Sequence, residues 1–204
     1  MADRKTYHHG NLRQALVDAT AALVEAQGPQ AFTLTEAARR AGVSAAAPYR
    51  HFKNREDLLE EVARQGFEEF ALRLERAFDG GAPQPLTAFL RMGQAYLDFA
   101  SDRPGFYMAM FESGISIAGN AELASASERA QGVLVAAADA LAQRLPEGNR
   151  PPARMVANHV WAMSHGVVEL FSRGKPGGRS PVAPSEMLES GAIIYLRGLG
   201  LIPS

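Results

Sequence analysis

Apolar residues recur along this chain at helical spacing. Leu12, Leu16, Ala19 and Leu23 stand at i, i+4, i+7 and i+11, one face of a helix predicted over Asn11–Glu25 and ended by Gly28-Pro29. A longer stripe of Leu59, Val62, Ala63, Phe67, Phe70 and Leu74 predicts a helix from about Arg55 to Ala77. Asp79-Gly80-Gly81-Ala82-Pro83 then breaks the chain. Further helices are predicted at Pro85–Ser101, Pro104–Phe111, Leu123–Arg144, Pro152–Ser172 and Pro184–Leu199. Breaks at Asp102-Arg103-Pro104, Pro146-Glu147-Gly148 and Gly174–Pro184 separate them. No stretch alternates with a strand's period of two and no repeat is visible, so the chain reads as all-α.

Thr33 to Phe52 predicts two short elements joined by a tight turn. Thr33 and Glu36 form a capping box, each side chain answering the other's backbone N–H. Ala37, Ala38 and Ala41 leave a face that another helix can approach, and Gly42 suits the left-handed end of a helix. Val43 supplies a turn contact, and Ser44 is placed to cap the next helix. This is the pattern of a helix-turn-helix, whose second helix enters the major groove. In Tyr49, Arg50, His51, Phe52, Lys53 and Arg55, phosphate-seeking donors are mixed with rings. Phe52 and one face of Tyr49 are expected to anchor the segment, leaving the Tyr49 hydroxyl, His51 and Lys53 toward a duplex.

With 204 residues, 47% of them hydrophobic, the chain is long enough for one helical domain and a small appended one. No apolar run approaches the ~20 residues that span a bilayer, so no membrane partner is expected. The opening MADRKTYHHGN has no apolar stretch after it, unlike a secretory signal, and the absence of cysteine suits a cytoplasmic protein. The net charge of −1 divides unevenly: residues 1–55 hold eight basic and four acidic side chains, a net +4, and the remainder holds 13 against 18, a net −5. A basic head on an acidic body is expected when one end meets phosphate. Arg39 and Arg40 read as a solvated face.

These residues carry a resemblance to the TetR family of regulators (TetR/AcrR-like). It covers about residues 7–75: the first helix, Gly42-Val43-Ser44, Tyr49-Arg50-His51-Phe52 and Glu56-Asp57-Leu58-Leu59. Trp161, His165 and Gly166, spaced W-x3-H-G, resemble the WHG-type C-terminal domain of that family, as do Tyr7-His8-His9-Gly10-Asn11-Leu12-Arg13 and Ala46-Ala47-Pro48-Tyr49.

The resemblance implies a three-helix head at 1–54, a connecting fourth helix at 55–79, and a helical effector-binding and dimerisation bundle at 80–204. It implies a repressor that binds a near-palindromic operator as a homodimer and is released by a small apolar or aromatic molecule. Thr33, Thr35, Tyr49, His51, Lys53 and Arg55 then contact the DNA backbone, and Ser44, Ala45, Ala46, Ala47 and Arg50 lie at or near base edges. Tyr96, Phe99, Phe106, Tyr107, Met110, Phe111, Trp161 and His165 are candidates for the effector pocket. Trp161, His165, Ile193, Ile194, Leu196 and Leu199 are candidates for the dimer interface. Position 48, usually large and aliphatic in the family, is Pro48. It removes an early helical hydrogen bond and is expected to push Ala47 from helical angles. Gly66, inside the connecting helix, reads equally as a hinge or a close-packing point.

An enzyme is not expected: no cysteine nucleophile, Gly-rich phosphate loop or H-E-x-x-H is present. His165 and Glu169 share a turn, but His159 lies about 120° round the helix, so no metal site is expected. No cofactor is implied. The alternative reading is a DNA-binding or architectural regulator without an effector.

Overall fold

A computed structural model of the chain describes residues 9–172 and 181–203. Tyr7, His8 and most of the Gly174–Pro184 break lie outside the described residues. Among the described residues there are eight α-helices and no strand: α1 His9–Gln27, α2 Leu34–Arg40, α3 Arg55–Phe78, α4 Pro85–Asp102, α5 Pro104–Phe111, α6 Ala121–Ala142, α7 Ala153–Val167 and α8 Pro184–Gly198.

Apart from the segment after Ser44, the expected helices are present; Pro104–Phe111 has the expected ends and most others are shifted. α6 starts earlier because the Asn120 side chain accepts the Glu122 and Leu123 N–H groups at 3.0 and 3.1 Å, an N-cap not expected from the sequence. The helix expected over Pro152–Ser172 ends as an α-helix at Val167 and finishes in a π turn, Val168–Ser172.

The chain divides into two compact units, Met1–Phe67 with Arg103–Ala126, and Glu68–Asp102 with Ser127–Ser204. In the first, Leu16, Val17, Phe32, Leu58, Leu59 and Val62 are fully buried. α5 packs there against α1 at Gly105, where any Cβ would collide with the Ala21 carbonyl. Gly66 faces the same helix: a Cβ would stand 2.7 Å from Met110 Sδ and 3.4 Å from Phe106 Cβ. Gly66 is thus a close-packing point in this fold. In the second unit Phe70, Tyr96, Phe99, Leu141, Val156 and Leu196 form the core. Leu196 therefore packs inside its own protomer, contrary to its expected place at a dimer surface.

Candidate nucleic-acid interface

The capping box at α2 forms in full. The Thr33 N–H donates to Glu36 Oε2 at 2.8 Å, and the Glu36 N–H donates to Thr33 Oγ1 at 3.2 Å. At the other end Gly42, φ 73°, allows a Schellman turn: Val43 N–H reaches the Ala38 carbonyl and Gly42 N–H the Arg39 carbonyl. Both ends of α2 are thus satisfied by local chemistry.

The segment after the turn departs from the expected recognition α-helix. Ala47 N–H bonds to the Ser44 carbonyl at 3.0 Å, and a single 3-10 turn, Pro48–Arg50, follows. Ser44 would be the N-cap of a continuous helix, so residue 48 would donate its first i→i−4 bond, and proline has no N–H to give. The Ser44 hydroxyl therefore caps no helix here. Ala47 nevertheless stays helical, φ −63° and ψ −40°, contrary to the expected displacement.

Pro48 is buried and Tyr49 is 61% exposed, so Pro48 rather than Tyr49 joins Phe52 as an anchor. Asn54 accepts the Asp57 N–H and Asp57 accepts the Lys53 N–H, each at 2.8 Å, which sets the start of α3.

The DNA candidates differ in how available they are. Thr35, Ser44, Ala45, Ala46, Tyr49, Arg50 and Lys53 are exposed, and Ala47 is half-buried. Among the described residues the Arg50 and Lys53 side chains have no hydrogen-bond or ion-pair partner. Thr33 is exposed, but its hydroxyl is engaged with Glu36. His51 is half-buried with Nε2 shielded and unpartnered, so that nitrogen does not face outward as expected. Arg55 is turned inward: it donates to the Pro29 carbonyl at 2.6 Å and Gln30 Oε1 at 3.0 Å, with its guanidinium 5.4 Å from the Phe32 ring centroid.

Beneath this surface lies a group that the pattern of apolar positions did not single out. Glu61, only 5% exposed, accepts from Arg13 through Oε1, from Arg64 at both oxygens, 2.8 Å each, and from Gln65 at 2.7 Å. Burial pushes its carboxyl up, and the hydrogen bonds from Arg64, Arg13 and Gln65 outweigh that, holding it at about 2.

The eight effector candidates fall into different units. Phe106, Tyr107, Met110 and Phe111 belong to the first, where Phe111 packs on Phe67 and Tyr107 at centroid distances of 5.6 and 4.9 Å. Tyr96, Phe99, Trp161 and His165 belong to the second. There Phe70 meets Tyr96 and Phe99 at 5.1 Å and Trp161 at 6.3 Å, and the Tyr96 hydroxyl lies 3.3 Å from His165 Nδ1. A cavity of about 80 Å³ in the second unit is lined by other residues, including Phe89, Gly93, Leu97, Val160, Leu188 and Ala192. Small residues on apolar faces, Gly93 and Ala192, were its only sequence signal.

Two family models cover most of the chain. One, described as "Bacterial regulatory proteins, tetR family", matches residues 16–62; the other, described as "Tetracyclin repressor-like, C-terminal domain", matches 89–192. The chain belongs to the TetR family. As a TetR family member it is a DNA-binding transcription regulator and not an enzyme.

A 73-residue stretch is 33% identical to an uncharacterized HTH-type transcriptional regulator of Haemophilus influenzae, 36% of this chain and 39% of that one. The similarity thus spans about two-fifths of the relative's length. Among solved structures, a protein with unknown function from Rhodococcus sp. RHA1 aligns with a TM-score of 0.79 at 26% identity, over 96% of this chain and 98% of that one. The TetR family transcriptional regulator PfmR from Thermus thermophilus aligns with a TM-score of 0.69 at 20% identity, over 89% and 97%. At that identity the likeness shows the fold alone. No helix among the described residues is long and apolar enough to cross a membrane.

Proposed function

We propose that this TetR regulator is a cytoplasmic repressor that binds a near-palindromic operator as a homodimer and leaves it when a small apolar or aromatic molecule binds. Residues 1–54 act as the DNA-reading head, 55–79 as the connecting helix and 80–204 as the effector-binding and dimerisation body. One observation carries the reading. Inside the stretch matched by the family's N-terminal model, a fully capped α2 leads into a turn whose Tyr49, Arg50 and Lys53 are exposed, with both cations unpartnered.

Alanines 45–47 offer methyl groups suited to thymine methyls, and Arg50 is the side chain able to grip guanine through two hydrogen bonds. Thr35, Tyr49 and Lys53 are assigned to the phosphates, with Thr33, His51 and Arg55 near the same backbone. The effector is assigned to the body, at the Tyr96–Phe99–Trp161–His165 cluster.

Binding-site selection from random DNA tests this directly. The chain should enrich a twofold motif with half-sites about 34–36 Å apart, one helical turn. Arg50→Ala should lose roughly 1–3 kcal/mol at a guanine position and relax preference there. Lys53→Ala should weaken all sequences alike and lower the salt slope by about one. Unchanged preference in Arg50→Ala would remove Arg50 as a base reader. The close ring packing around Phe70 favours a second reading, a regulator or architectural protein without an effector. Thermal shifts with apolar metabolites, repeated with operator DNA, separate the two.

A further inference from the structure

A recognition helix ordinarily carries its own shape through i→i−4 hydrogen bonds. The segment from Ser44 to Lys53 makes few of them because Pro48 interrupts the series, so its pose depends on what grips its ends. At the far end the grip is Phe52, 2% exposed, with the Arg13 guanidinium 5.3 Å from the ring centroid. The same Arg13 donates to Glu61 Oε1. Glu61 is itself clamped by Arg64 and Gln65, so its carboxylate cannot swing away to follow Arg13.

We infer that Arg13 is a positioning residue for DNA reading. Lying over the Phe52 ring and tied to Glu61, it sets how the Tyr49–Lys53 edge meets the duplex, without supplying a phosphate contact itself. The inference rests on the reading that this edge meets DNA.

The chemistry fits that role better than that of a phosphate ligand. A buried carboxylate in a basic head is unfavourable unless it is fully paired, and this one accepts from three side chains. A planar guanidinium can stack on a ring with its face and donate from its edge at once, which an ammonium cannot. Arg13, Phe52 and Glu61 come from α1, the reading segment and α3, so one side chain ties three elements together. Arg13 keeps 43% of its side chain exposed, which makes a direct phosphate contact the competing role to be tested.

The test uses the full chain and a duplex that the wild type has selected from random DNA. Affinity for that duplex and for random competitor is measured across a salt series for Arg13→Gln, Arg13→Lys, Glu61→Gln and the Arg13→Gln/Glu61→Gln double variant. Melting is followed by circular dichroism, and binding is measured below each variant's transition.

A positioning residue gives a roughly tenfold fall in the ratio of selected to random affinity in all three single variants, about 1.4 kcal/mol. The salt slope stays at the wild-type value because no phosphate contact is lost. The double variant is no worse than the weaker single one, because both break one linkage. The inference is overturned if Arg13→Lys restores wild-type binding while Arg13→Gln lowers the salt slope by about one, the behaviour of a phosphate contact. It is also overturned if melting temperatures fall while the ratio stays constant. If Arg13→Gln does not fold, Arg13→Lys and Glu61→Gln decide the matter. Should the wild type select no duplex, the DNA-reading assignment itself fails, a result distinct from either of these.

Discussion

Glu61 holds a carboxylate 5% exposed among three donors, and its titration should be visible in the stability of the whole chain. Its folded value of about 2 lies below the ordinary 4.5, so the unfolded chain takes up the proton first as pH falls. The stabilisation from this group is therefore complete above about pH 4.5 and is lost progressively toward pH 2. In urea unfolding across that window, Glu61→Gln should show a shallower loss of stability than wild type. Parallel curves would mean that the network contributes nothing specific.

Two glycines at separate packing contacts of α5, Gly105 against α1 and Gly66 on α3, should behave differently for reasons of stiffness. At Gly105 the obstacle is the Ala21 backbone carbonyl, which cannot turn aside. Gly105→Ala is expected to destabilise by about 1–3 kcal/mol, as overpacking does. At Gly66 the nearest atoms belong to the flexible Met110 thioether, and alanine gains about 1 kcal/mol of helix propensity. Gly66→Ala should thus come out near neutral in denaturant titration, and a loss as large as that of Gly105→Ala would show that Met110 cannot move.

At the scale of elements, α2 and the reading segment show opposite relations between local sequence and structure. α2 is closed at one end by Thr33 and Glu36 and at the other by Gly42, all within reach along the chain, so its limits could be read directly. The reading segment has the family's turn signals but a proline where the first helical bond would form. Pro48→Leu restores an N–H opposite the Ser44 carbonyl, with Ala47 already at helical angles. Amide exchange should slow at residues 49–52, and operator affinity should change with it. No change in exchange would place the cause of the 3-10 turn elsewhere. The DNA candidates separated on grounds that spacing could not reveal: Arg55 and His51 share the stretch with Arg50 and Lys53, yet Arg55 folds back onto the Pro29–Phe32 turn and His51 hides a nitrogen.

At the scale of the molecule, the proposal of a homodimer rests on α7 and α8. Ile194 is 70% exposed, Met155 is exposed, and a Cβ at Gly166 or Gly191 would meet nothing. If a second copy covers this face, Ile194→Glu buries a charge at the junction and should leave a folded monomer that has lost operator binding. Light scattering with chromatography reads the mass, and a dimer persisting in the variant would move the interface elsewhere. The charge division between residues 1–55 and the remainder belongs to this scale as well: under the proposed function it favours the head as the end that meets DNA, without defining any one contact.

The positions of most helices and the limits of α2 follow from features that act over a few residues: apolar period, caps and glycine turns. These are local free energies, fixed once the neighbouring residues are named. Which polar groups stay available was decided by folding, because availability depends on partners distant in the chain: Glu61 for Arg13, Pro29 for Arg55, His165 for Tyr96. The separation of the eight effector candidates between two units has the same origin. Ring-rich segments look alike in sequence, and their partners are chosen by long-range packing.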